Sequence, residues 1–177
     1  MVEFPDDLDR ILEGVASGSL SPSAAAQHLR NGEVRYLDEF AVLDEAVAVA
    51  KEMGVAVKSF HDVGVAGIHR LARPLEELRS FDPDCLIVAA GMEGALPSVV
   101  AGLVAVPVVG LPTSTGYGLG GDGTAAILGM LQTCSPGLSV VNVDNGVGAG
   151  ATAALIANRA ALGRKVHTDG PEPGDPG

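Results

Sequence analysis

The chain has no tryptophan, and aromatic residues are only 3% of the sequence, so its core must be built from Val, Leu, Ile and Ala. Lysine is nearly absent, confined to Lys51, Lys58 and Lys165, and the formal net charge is −11. A chain so poor in positive charge is not suited to nucleic acid or to an anionic membrane surface, because both need basic patches. There are two cysteines, Cys85 and Cys134, with no CxxC and no paired spacing. That excludes a disulfide framework and a zinc site, and it fits a reducing cytoplasm. No apolar run is long enough to cross a bilayer; the longest, "VVAGLVAVPVVGLP", is broken by Pro107. The start, "MVEFPDDLDR", is acidic and lacks the apolar core of a signal peptide. A soluble cytoplasmic protein is expected.

What is present is 47% hydrophobic residues, punctuated by 24 glycines and 11 prolines. Residues 1–32 are expected to form a helical hairpin. Leu8, Ile11, Leu12 and Val15 recur at helical spacing. Gly18 can end that helix, and Ser21 with Pro22 can start the next. From Asp44 the pattern becomes helix and strand in alternation. Helices are expected in "LDEAVAVAKEMG", "GIHRLARPLEELRSF", "EGALPSVVAGLV", "DGTAAILGMLQTC" and "GAGATAALIANRAALG". Pro74 marks a break or a fresh start in the second of these. Four strands are expected, at Val55–Phe60, Cys85–Gly91, Val106–Pro112 and Leu138–Asp144. Apolar strands alternating with helices predict a parallel sheet covered on both faces, over residues 33–166. The tail, 167–177, is too polar and too rich in proline to fold.

In such sheets ligands bind beyond the carboxyl ends of the strands, so four exits matter. The third reads "GLPTSTGYGLGGDG", with Thr113, Ser114, Thr115, Gly116, Tyr117 and Gly118 ahead of a helix. Free N–H groups at a helix start, with hydroxyls beside them, favour an anion such as phosphate. "GYGLGG" matches a dinucleotide fingerprint in form, but it sits late in the chain, and a plain tight turn would read the same way. The second exit, "GMEGALPSV", places Gly91, Met92 and Glu93 at a helix start, where the dipole favours a carboxylate. The last, "NVDNGVGAG", offers Asn142, Asp144 and Asn145 for a ribose or a second phosphate, or simply for a capping turn. The first, "HDVGVAGIHR", gives His61, Asp62 and His69 as site-wall residues. Cys134 lies in a polar turn, "TCSPG", after an apolar helix; the negative end of that helix opposes a thiolate. Cys85 opens a buried strand and reads as packing.

Taken in order, "DVGVAGIHRL", "VAAGMEGALPSVVAGL", "PVVGLPTSTGYG" and "LQTCSPGLSVVNVDNGVGAG" resemble the LarB family. Those enzymes are carboxylase/hydrolases of nickel-pincer cofactor synthesis and are related to the PurE-type aminoimidazole ribonucleotide carboxylases. The resemblance covers roughly Asp44 to Ala161, and the hairpin is similar as well. It implies a flavodoxin-like, three-layer α/β/α domain acting on nicotinic acid adenine dinucleotide, a small-molecule nucleotide. Carbon dioxide or bicarbonate is the implied co-substrate, and no cofactor is tightly bound. Mg²⁺ is a candidate helper for phosphoanhydride hydrolysis, with no metal ligands assigned in the chain. The products are pyridinium-3,5-biscarboxylic acid mononucleotide and AMP. The family's nucleophilic cysteine aligns with Cys134 and its general-base glutamate with Glu93. Gly91, Met92, Ser114, Gly116, Tyr117, Gly118, Asn142, Asp144, Asn145, Asp62 and His69 become substrate-binding positions. Relatives form closed homo-oligomers, often octamers. A PurE-type carboxyribonucleotide mutase and a non-catalytic nucleotide-binding homologue are the competing expectations.

One departure stands out. Family members carry an additional strand and a Thr-Ser-Asp loop before the first long helix. Here the corresponding stretch reads "NGEVRYLDEFAVLDEA", with no Ser-Asp loop. Three outcomes are open: Glu33–Leu37 replaces the strand, another subunit completes the site, or catalysis is lost while fold and assembly remain.

Overall fold

The computed structural model describes residues 39–168, with side chains described for 40–164. The expected hairpin 1–32, the run Glu33–Leu37 and the tail beyond Thr168 lie outside the described residues. Helix α1, Glu39–Glu52, comes first. A 3-10 segment, Val65–Leu71, passes directly into α2, Ala72–Phe81, so Pro74 falls in the first turn of a fresh helix, where its missing N–H costs nothing. Strand β1 is Leu86–Ala90, α3 is Ala95–Ala101, β2 is Val108–Pro112, α4 is Thr124–Leu131, β3 is Leu138–Val140 and α5 is Gly146–Thr168.

The three strands form one parallel sheet in the order β1-β2-β3. Leu86 is opposite Val108, and Val108 is opposite Leu138. Helices cover both faces, as the alternating pattern requires. On one face Val42 and Ala46 of α1 and Ala149 of α5 pack on Val109 and Leu111. On the other, Leu71, Leu96, Val100 and Met130 pack on Leu86 and Val108. The architecture is the flavodoxin-like α/β/α sandwich.

Among the described residues the sheet has three strands where four were expected. Val55–Phe60 forms no strand. It keeps a strand's rhythm, with Val55 and Val57 half-buried and Ala56 and Lys58 exposed, but it pairs with nothing among the described residues. The reason is a missing neighbour. With no strand among the described residues between it and β1, the run has no ladder to join there, and periodicity alone cannot supply one. β1 shows the other side of the same gap. β2 is buried at all five positions, whereas Ile87, Val88 and Ala89 of β1 are only half-buried.

A bidentate ion pair ties α5 to the turn before β1: Arg164 donates to both carboxylate oxygens of Asp84, one bond at 2.9 Å. The hydrogen bonds from Arg164 hold the Asp84 carboxyl below its ordinary range. A depressed carboxylate stabilises the fold above its unfolded value, and that contribution is lost as pH falls through the folded value. The advantage of wild type over Asp84→Asn is therefore expected to be full above about pH 5 and to vanish below about pH 3. Because the pair is solvent-exposed, the difference in melting temperature should not exceed about two degrees. Thermal melts across that range check it.

Candidate active site

The three strand ends converge at one edge of the sheet. β1 leaves through Gly91, Met92 and Glu93, and β2 leaves through Thr113–Gly116. The two exits are joined by hydrogen bonds from Thr113 N–H to the Ala90 carbonyl (3.0 Å) and from Met92 N–H to the Thr115 carbonyl (3.1 Å). Close approach is obligatory here, since a Cβ on Gly91 would overlap the Thr115 carbonyl oxygen. Met92 turns the chain with a left-handed backbone, φ 49°, which a non-glycine residue adopts only under constraint. Gly94 does the same at φ 64°, directly against the Ala126 backbone of α4. The Glu93 carbonyl in turn abuts Gly129 of α4. These contacts fix the Glu93 backbone and leave its side chain exposed.

β3 leaves through Asn142–Asn145. Asp144, also left-handed at φ 55°, accepts a hydrogen bond from Ser114 N–H (2.8 Å), and its own N–H donates to the Pro112 carbonyl (2.9 Å). Asn145 caps α5 by accepting from Gly148 N–H (2.8 Å). Both carboxamide and carboxylate thus serve the loop framework in this structure.

A cavity of about 1060 Å³ opens beside these exits. It collects Asp62, Gly91, Met92, Glu93, Gly116 and Tyr117 on one wall system. Asp62 is paired with Arg70 (2.6 Å). His61 reaches the same space and packs on Phe40, with ring centroids 5.6 Å apart. Ser114, Asn142, Asp144 and Asn145 cluster next door at the β3 exit, outside the cavity lining. Gly118 lies further along the loop, and His69 is exposed outside the lining.

Two features depart from the sequence reading. The glycine loop does not leave its following helix open. Thr124 N–H donates to the Gly121 carbonyl and Ala125 N–H to the Gly120 carbonyl, so the loop satisfies two donors that were expected to be free for an anion. The physical reason is that a glycine-rich run folds back on the helix start more easily than it holds itself away.

The second feature is the position of Cys134. α4 begins at the carboxyl edge of the sheet, where Gly123 meets Thr113 and Val143, and it runs back toward the amino edge. Its eight residues span about 12 Å. Cys134 follows its end, in the turn whose Gly137 carbonyl accepts from Val108 N–H at the start of β2. The neighbouring Ser135 hydroxyl donates to the Ser98 carbonyl of α3 (2.8 Å). The chain by itself therefore does not bring Cys134 into the cavity that Glu93 lines.

Thr113 was visible in the sequence only as one hydroxyl among several. It is fully buried, and its Oγ1 has no hydrogen-bond partner among the described residues. An unpaired buried hydroxyl costs about 1–3 kcal/mol, so its place between the β1 and β2 exits marks a strained junction. The signal available in sequence was its position, the first residue past a wholly apolar strand.

The two cysteines differ sharply. Cys134 is exposed, whereas burial pushes the Cys85 thiol up to about 11. A small alkylating reagent at neutral pH should label Cys134 at least about tenfold faster than Cys85, with Cys85 accelerating only as pH approaches 11. Peptide mapping after timed quenching measures both rates.

A family comparison now identifies the domain. The AIR carboxylase family model matches residues 37–168. The chain belongs to the AIR carboxylase family. It is 53% identical over 116 residues to the uncharacterized protein MJ0165 of Methanocaldococcus jannaschii, covering 66% of this chain and 44% of that relative. It is also 34% identical over 117 residues to the N5-carboxyaminoimidazole ribonucleotide mutase of the same organism, covering 66% of this chain and 68% of the mutase. The match to MJ0165 thus spans less than half of that protein's length. Among the described residues no helix is long and apolar enough to cross a membrane, and no three His, Cys, Asp or Glu side chains converge as a metal cage. The described residues thus build no ready cage for Mg²⁺.

Proposed function

We propose that this AIR carboxylase family member is a LarB-type carboxylase/hydrolase acting on nicotinic acid adenine dinucleotide, with its site shared between copies. The observation that carries the reading is the exposed thiol of Cys134. It sits in a polar turn, beyond a helix whose Leu128 and Leu131 are themselves exposed. A second copy seated on that apolar surface would cover Leu128 and Leu131 and carry Cys134 toward a neighbour's Glu93. The identities support a reaction other than the mutase's. M. jannaschii holds both relatives, and the chain is 53% identical to MJ0165 against 34% to the mutase.

The chemistry follows from those two groups. The Cys134 thiolate forms a bond to carbon 4 of the pyridinium, and the ring's electron pair neutralises its positive charge. Carbon 5 is now nucleophilic and forms a bond to carbon dioxide. Glu93 takes the proton from carbon 5, the C–S bond breaks, and the thiolate leaves as aromaticity returns. Water separately cleaves the phosphoanhydride, releasing AMP. The cationic ring favours attack by the thiolate form of Cys134. Any divalent ion would arrive on the diphosphate, and no step is assigned to it.

The test is incubation of the protein with nicotinic acid adenine dinucleotide, bicarbonate and Mg²⁺, followed by mass spectrometry. AMP together with the dicarboxylated mononucleotide is the expected result. Interconversion of carboxyaminoimidazole ribonucleotides without AMP would replace this reading with the mutase. A folded oligomer that turns over neither substrate would reduce it to a binding or assembly role.

A further inference from the structure

One aromatic side chain stands at the mouth of the cavity with its ring uncovered. Tyr117 is 83% exposed, yet it lines the same cavity as Met92 and Glu93. We propose that its ring is a shelf for the cationic pyridinium of the substrate, selecting a charged ring over a neutral one. The inference rests on the carboxylase/hydrolase reading and names what holds the reacting ring beside Glu93.

The backbone beneath the ring is fixed. The Thr115 carbonyl accepts from Met92 N–H, and Gly116 lies so close to Met92 that a Cβ on it would stand 3.4 Å from the Met92 nitrogen. On the far side the Gly118 carbonyl accepts from Gly121 N–H (3.3 Å). Tyr117 is therefore held in constant register with the turn that carries Glu93, while its side chain stays out of the core. An aromatic ring on such a support offers a large flat contact and loses little freedom when a ligand settles on it.

The other aromatic rings of the cavity are differently placed. Phe40 packs on His61, and Phe60 lies under the Lys58 ammonium, 5.5 Å from its centroid. Among the described residues Tyr117 has neither a ring nor a cation against it. The cavity also has little positive charge to oppose a cationic guest. Lys58 is the one Lys or Arg among its lining residues, and it is committed to Glu77 at 2.7 Å. Glu93 brings a carboxylate to the same mouth. A free aromatic face beside a carboxylate suits a flat cation.

The chemistry gives this contact a kinetic signature. A thiolate approaches carbon 4 perpendicular to the pyridinium plane, so one face must stay open and the shelf takes the other. When the C–S bond forms, the ring loses its positive charge, and the attraction to the tyrosine face goes with it. The contact therefore stabilises bound substrate more than the transition state. Its loss raises KM and does not lower kcat.

The experiment titrates the full chain with two small probes and follows their ring protons by NMR. One is 1-methylpyridinium-3-carboxylate, whose ring is cationic. The other is 3-methylbenzoate, with the same outline and a neutral ring. Tyr117→Leu should weaken binding of the first at least about fivefold and leave the second unchanged. Tyr117→Phe and Tyr117→Trp should keep the first, because any aromatic face serves and leucine is apolar without one. Since the side chain is exposed, all three variants should melt with wild type. In turnover of nicotinic acid adenine dinucleotide, Tyr117→Leu should raise KM at least about fivefold with kcat held or increased. Equal weakening of both probes would make Tyr117 a plain apolar contact, and no change in either would remove it from the site. Each result overturns the proposal, as does a fall in kcat at unchanged KM. A wild-type protein that discriminates the probes through Tyr117 yet releases no AMP would overturn the carboxylase/hydrolase reading and leave the ring shelf standing.

Discussion

Cys134→Ser is expected to lower release of AMP and of the dicarboxylated mononucleotide by at least about a thousandfold, with assembly unchanged. A serine hydroxyl at neutral pH is almost wholly protonated and adds poorly to a ring carbon, whereas a thiol reaches its anion easily. Glu93→Gln should cost about a hundredfold or more, because the proton on carbon 5 then has no positioned acceptor. The geometry adds a sharper expectation. Cys134 stands beyond the amino-edge end of α4, and Glu93 lines a cavity at the carboxyl edge. If the two meet only across an interface, the two inactive variants should rescue each other. Random co-assembly would place an intact Cys134 from one variant beside an intact Glu93 from the other in about a quarter of the sites. Recovery of that fraction in co-expressed oligomers checks the shared site. A mixture as dead as its parents would place both groups in one protomer and discard the shared arrangement. Full activity in Cys134→Ser alone would remove Cys134 as the nucleophile and leave the carboxylation without a covalent step through it.

The fold was legible because its signals are redundant. Apolar runs bounded by glycine and proline placed three strands with every end within four residues of the observed one, and helical spacing placed α2 and α5. The error at Val55–Phe60 was of a different kind. Its alternation is real and survives as a burial pattern, but strand identity depends on a partner, and partners are not written in the segment itself. The site was legible at the level of loops. Gly91, Met92, Glu93, Gly116 and Tyr117 share one cavity because parallel topology brings strand exits together. Topology also separates Cys134 from them, and this could have been inferred. A residue four positions before a parallel strand sits at the amino edge, away from the exits. Missing from the sequence was any sign that the glycine loop would satisfy its own helix start, or that Asp144 would be engaged by Ser114 N–H. Those are local hydrogen-bond choices among near-equal alternatives, and only the assembled backbone decides them.

Gly91→Ala should be the most damaging single-methyl change in the domain. Glycine here is required by space, not by backbone freedom, since a Cβ would collide with the Thr115 carbonyl oxygen and crowd the Thr113 hydroxyl. Neither obstacle can swing aside. Thr115 is held by the hydrogen bond its carbonyl accepts from Met92 N–H, and Thr113 is fully buried. The methyl must therefore push the β1 exit away from the β2 exit, breaking that hydrogen bond and opening the junction where Thr113 is already unpaired. Overpacking of this kind costs about 1–3 kcal/mol, and a lost buried hydrogen bond adds about 1 kcal/mol, enough to lower a domain's melting temperature by roughly ten degrees. Activity should fall further than stability does. Glu93 follows two residues later, and a displacement of about 1 Å can cost a hundredfold in rate. Gly118→Ala is the matched control in the neighbouring loop: its left-handed φ of 82° carries some strain, but a Cβ there meets nothing. It should lose about 1 kcal/mol and keep Glu93 in place. Melting temperature and turnover measured together separate the cases. If Gly91→Ala lost no more than Gly118→Ala in both, the two exits would not be packed as described, and the placement of Glu93 would have to be abandoned with them.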